Sequence, residues 1–216
     1  MVEIRKNFIL DYDEKLTYIS NIINYLESKM EEIMLFFHLS SLSKKRKIVV
    51  YNDLELYKKH IEESFEYHDY MRADTNDGNI NLLSIEEARK TKEHAFMTIE
   101  ELKSTILHEF VHICQQECEI EHLDHDIVWF WEALATNIGN TEVFTSISFQ
   151  STNAEIEEFN SLRGNYPIAF TIGRYLLEKY SHEQILDYVK YPSKLRADSD
   201  EILNHAREWS NLARKR

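Results

Sequence analysis

Apolar residues recur every three or four positions through most of this chain, and where that rhythm stops it gives way to brief β-branched runs. Over 13–39, Leu16, Ile19, Ile22, Ile23, Leu26, Met30, Ile33 and Phe37 fall at helical spacing, which predicts a long amphipathic helix. The polar, basic stretch SSLSKKRK at 40–47 reads as a solvated connector. KIVVY at 47–51 predicts a short strand, 53–67 a return to helix, ADTNDG at 73–78 a turn-rich loop, and NINLL at 79–83 a second strand. Ser84 with Glu87 three residues on is a capping-box start for a short helix over 84–95.

The same signature, Thr98 with Glu101, opens the next helix. Leu102, Ile106, Leu107, Phe110, Val111, Ile113 and Cys114 gather on one broad face, and Ser104, Thr105, His108, His112, Gln115 and Gln116 form the opposite polar stripe. WFWEALAT lies in a second helix predicted over 126–138, with Gly139 as its cap. Residues 141–150 alternate enough for a strand or a strand-like loop, and 154–159 are expected to be helical. Pro167 suits the first position of a helix that continues to 180, and the tail reads as two helices broken near Tyr191 and Pro192. The order predicts a mainly helical α+β fold, with a small sheet in an N-terminal lobe (1–118) and a helical C-terminal lobe (119–216).

Chemistry concentrates in HEFVH. His108 and His112 stand one turn apart and project side by side, so both imidazoles are candidates for one metal ion, with Glu109 beside them to take a proton from water. A catalytic zinc takes three protein ligands and leaves one position for water, so a third ligand is required. Cys118 stands where metzincins place a histidine, but Gln115 replaces the glycine that would turn the chain back. On a continuing helix Cys118 lies about 280° round from His108 and roughly 15 Å along the axis, too far to converge. Glu132 is the better candidate, because 113–131 are enough for a turn and a returning helix.

HEFVH followed at this interval by Trp131-Glu132-Ala133-Leu134-Ala135 resembles the gluzincin metallopeptidases, the group of thermolysin and the zinc aminopeptidases. The resemblance implies one Zn2+ per chain held by His108, His112 and Glu132, with Glu109 as general base and the two helices flanking a cleft. It implies a substrate-binding edge strand upstream, here Asn79, Ile80, Asn81 and Leu82, pairing with the substrate backbone by β-augmentation. Thr136 stands where the thermolysin branch orients a ligand histidine with an aspartate. Tyr166 is similar in position to the tyrosine that stabilises the oxyanion in the aminopeptidases. No G-x-M-E-N-like segment offers a carboxylate for a free α-amine, which favours an endopeptidase.

Composition narrows the partners. The net charge of −13, from 25 basic and 38 acidic residues, disfavours nucleic acid and anionic membrane. Two cysteines give no disulfide framework, and neither a leader-like apolar run nor a stretch approaching eighteen apolar residues is present. The expectation is a soluble, cytoplasmic zinc metallopeptidase acting on a peptide or protein substrate. Its alternative is a non-catalytic zinc-binding regulatory protein on the same scaffold, for which His122, Asp124 and His125 are nearby candidates for a fourth ligand.

Overall fold

The β-branched runs of the first half pair into a single mixed sheet. The computed structural model describes residues 1–64, 66–69, 71–75, 78–121, 127–139, 144–162 and 164–213. Strands β1 (Val2–Ile4), β2 (Phe8–Asp11), β3 (Arg46–Tyr51), β4 (Ala73–Asp74) and β5 (Ile80–Leu83) lie in the order β1-β2-β3-β5-β4. β2, β3 and β5 run parallel, which requires long crossovers; helices α1 (Thr17–Phe36) and α2 (Leu54–Glu62) lie in them. β1 and β4 close the two edges in antiparallel pairing. Phe8, Leu10, Ile48, Val50, Ile80 and Leu82 of the sheet are buried, as are Ile19, Ile23, Leu26 and Met30 of α1.

The expected helix over 13–39 is thus α1, ended by His38 in the left-handed conformation (φ 54), with Leu39 N–H donating back to the Met34 carbonyl at 2.9 Å. α2 is shorter than expected and begins at Asp53, whose carboxylate accepts from the Glu55 and Leu56 amides. Three features depart from the sequence reading. The first twelve residues supply two strands that the hydrophobic pattern does not announce. The turn-rich segment at 73–78 begins with β4, and its residues 76 and 77 lie outside the described ones.

The third departure matters for function. β5 is an interior strand, paired with β3 through Ile80↔Ile48 and Leu82↔Val50 and with β4 through Leu82↔Ala73 and Asn81↔Asp74. β5 is thus not the edge strand expected at Asn79, Ile80, Asn81 and Leu82, and at Asn81 and Leu82 the side away from β3 is already taken by β4. Asn79 instead accepts from the Lys47 amide at 3.0 Å, and the Asn81 amide donates to Asp74 at 3.4 Å.

After the short helix α3 (Ile85–Ala88), the chain runs through α4 (Ile99–Cys118), α5 (Val128–Ile138), α6 (Asn153–Glu157) and a 3-10 turn (Phe159–Ser161). It ends in α7 (Asn165–Lys179), α8 (His182–Lys190) and α9 (Pro192–Ala213). The fold is mainly helical α+β, with the small sheet near the N-terminus and a helical C-terminal region. Two compact units are present, Met1–Cys114 and Gln115–Arg216, and the division falls inside α4, whose last residues, 115–118, group with α5.

Within the second unit α5 packs on α7. Gly173 makes this possible, since a Cβ there would stand 2.2 Å from both the Ala133 carbonyl oxygen and the Asn137 side-chain nitrogen. α7 starts at Gly164 (φ 72), so Pro167 occupies the third helical position rather than the first; its missing N–H is still one of the unpaired donors of a first turn. Residues 144–150 adopt no regular structure, which leaves the loop of the two expected alternatives, residues 141–143 lie outside the described ones, and the Ile147 amide donates to the Thr171 hydroxyl. No helix among the described residues is long and apolar enough to cross a membrane.

Candidate metal centre

α4 begins where the sequence says it should. The Thr98 amide donates to the Glu101 carboxylate at 2.7 Å, and the Glu101 amide donates to the Thr98 hydroxyl at 3.2 Å, a complete capping box. No Gly or Pro interrupts 99–118, so the helix runs unbroken to Cys118. Its apolar face, from Leu102 to Cys114, is buried as expected. The polar stripe is not simply solvated: Ser104, Thr105 and Gln115 are buried, while His108, Glu109 and His112 are half-buried.

The two imidazoles meet. Nε2 of His112 and Nε2 of His108 are 3.2 Å apart, and the rings cross edge to face at 85°. A carboxylate oxygen of Glu132, from α5, joins them, and the three ligand atoms all lie within 4.8 Å of one another. Two nitrogens bound to one tetrahedral zinc at about 2.05 Å would stand about 3.3 Å apart. The spacing of the two nitrogens and the mix of two imidazoles with one carboxylate fit the donor set of a zinc site.

Glu109 follows His108 directly, so its side chain points roughly 100° round the helix from that ligand. Its negative charge reaches Tyr57 on α2. Burial first, then the charges of Asp74 and Glu109, push the Tyr57 phenol well above its ordinary range, so it stays protonated. Tyr57 is 0% exposed, and its hydroxyl has no hydrogen-bond partner among the described residues. Nothing in the sequence marks Tyr57, which sits at an ordinary apolar position of an amphipathic helix.

The other expected residues fare differently. Cys118 is a buried thiol on the continuing helix, its pKa raised above the ordinary value by burial, and it does not belong to the ligand group. Thr136 is 0% exposed, and its hydroxyl donates to the Glu132 carbonyl at 2.6 Å, one turn back on its own helix. Tyr166 lies in the first turn of α7, 40% exposed, with its ring against Phe144 and Phe159. His122, Asp124 and His125 lie outside the described residues.

The backbone around Glu132 carries side-chain hydrogen bonds that the sequence does not reveal. The Gln115 amide donates to the Trp131 carbonyl at 3.2 Å. The Asn137 amide donates to the carbonyls of Ala133 at 2.8 Å and of Phe170 on α7 at 3.0 Å. Neither residue has a chemical signature, because an amide's role depends on which backbone it reaches. Comparison of the chain with protein-family models, curated proteins and solved structures finds no match.

Proposed function

We propose that the protein is a zinc-dependent metallopeptidase of the endopeptidase type. The observation that carries this reading is the convergence of His108, His112 and Glu132 with a further carboxylate, Glu109, next to them. Bound zinc supplies Lewis acidity, which brings the ionisation of water close to neutral pH and polarises a carbonyl. His108 and His112 contribute their Nε2 lone pairs and Glu132 one carboxylate oxygen. The Glu109 carboxylate accepts a proton from the attacking water as its oxygen bonds to the scissile carbonyl carbon. When the C–N bond breaks, Glu109 delivers that proton to the leaving amine nitrogen. By resemblance alone, Tyr166 is the donor proposed for the developing oxyanion.

A site serving only to hold zinc has no use for Glu109. That distinction makes Glu109→Gln the informative variant: zinc content and cleavage of a mixed peptide library are measured for it and for the wild type. Both proteins are expected to hold about one zinc, and the variant to lose about a hundredfold or more in cleavage rate. Equal cleavage by the two removes the catalytic role. Zinc in both without cleavage by either leaves the regulatory alternative.

A further inference from the structure

We infer that Gln115 is a positioning residue for the metal centre: its side-chain amide holds the α5 backbone at Trp131 and so keeps the Glu132 carboxylate in register with the imidazoles of α4. This inference rests on the zinc-site reading above and adds to it a residue from outside the ligand set.

Gln115 lies three residues beyond His112 on the same polar stripe and is 1% exposed. A primary amide at such depth costs free energy unless its polar atoms are bonded, so its conformation is tied to the partner it has. One such partner is the carbonyl of the residue immediately before Glu132. In an α-helix the Trp131 carbonyl already accepts from the amide four residues on, so α5 does not need the bond to complete its own ladder. What the bond adds is a tie from α5 to residue 115, the part of α4 that belongs to the same unit.

The two carbonyls that follow are treated alike. Glu132 accepts a second bond from Thr136 at 2.6 Å, and Ala133 one from Asn137 at 2.8 Å, while Asn137 also reaches Phe170 on α7. Three consecutive carbonyls centred on the candidate ligand are thus braced by side chains, and Gln115 makes the contact from α4. A carboxylate ligand held on a braced backbone is already oriented for a metal, whereas a looser one must give up freedom on binding.

The test compares wild type with Gln115→Met, which keeps length and volume and removes the donor. Zinc affinity is measured by competition with a chromophoric chelator, and thermal stability is measured on the zinc-free proteins. The expected result is zinc binding weakened about ten- to a hundredfold, with a zinc-free melting temperature close to that of wild type. Gln115→Asn, which keeps the amide but is one methylene too short, is expected to show the same weakening and serves if the methionine variant does not fold. Wild-type affinity in both variants overturns the inference while leaving the metallopeptidase reading in place. Weakening matched by an equal loss of zinc-free stability, or failure of both variants to fold, shows a merely structural amide and overturns it too. Absence of zinc from the wild type removes the underlying reading and the inference together.

Discussion

At the scale of single residues, the geometry separates side chains that converge from side chains that satisfy their own helix. His108, His112 and Glu132 each offer a ligand atom, all within 4.8 Å of one another, while the Thr136 hydroxyl stays on the Glu132 carbonyl. Tyr57 belongs to neither group. Its buried hydroxyl lacks a partner among the described residues and faces the negative charges of Asp74 and Glu109. Removing an unsatisfied buried hydroxyl relieves its desolvation cost, so Tyr57→Phe is expected to raise stability by about 1 kcal/mol, read as a higher melting temperature at neutral pH. The pH dependence has a definite sign. A phenol whose folded value is raised contributes stability that is fully present below its ordinary value of 10.0 and is lost as pH rises toward the folded one. The phenylalanine variant is expected to lack that alkaline loss, and a variant as sensitive to alkali as wild type would contradict the assigned environment.

At the scale of elements, local signals were legible and pairings were not. The Thr98 capping box, the unbroken apolar face of α4 and the HEFVH spacing are each contained within one helix and are present as read, whereas at Ser84 only the hydroxyl half of the expected box forms, because the Glu87 carboxylate accepts from the Leu54 amide and the Lys90 ammonium instead. Glu132 was legible because the motif around it is local to α5. The status of β5 depends on its neighbours: β4 is two residues long and lies at the head of a turn-rich segment, so its pairing leaves no trace in the hydrophobic pattern. β1 and β2, at three and four residues, are likewise too short to show a period. Thr136 and Tyr166 were carried by resemblance rather than by a local pattern. The close approach of α7 to α5 was also invisible, since Gly173 declares itself only through the carbonyl it faces. Gly173→Ala inserts a methyl group 2.2 Å from the Ala133 oxygen and must push the helices apart. A loss of about 1–3 kcal/mol is expected from overpacking, and because Ala133 follows Glu132, zinc affinity should fall as well. An alanine variant with wild-type stability and zinc affinity would show that the contact is slack.

At the scale of the whole chain, the candidate site links two stretches of sequence that meet only in the folded state. His108 and His112 lie on α4 and Glu132 on α5, so a ligand that needs all three binds the native state and not the unfolded chain. Zinc at a hundred times its dissociation constant should therefore add about 2.7 kcal/mol to stability. Chelation should lower the melting temperature, and restored zinc should return it. The net charge of −13 adds a general attraction for cations but no selectivity between them, so magnesium at the same excess is expected to leave the transition unchanged.

The most direct measurement is a zinc titration of four proteins side by side: wild type, His112→Ala, Glu132→Ala and Cys118→Ser. Wild type and Cys118→Ser are expected to bind about one zinc each with the same affinity, and the other two to bind at least tenfold more weakly, since each lacks one of three ligands. Wild-type affinity in Glu132→Ala would contradict the account, because the convergence of α4 and α5 on one cation is the claim from which the proposed activity follows.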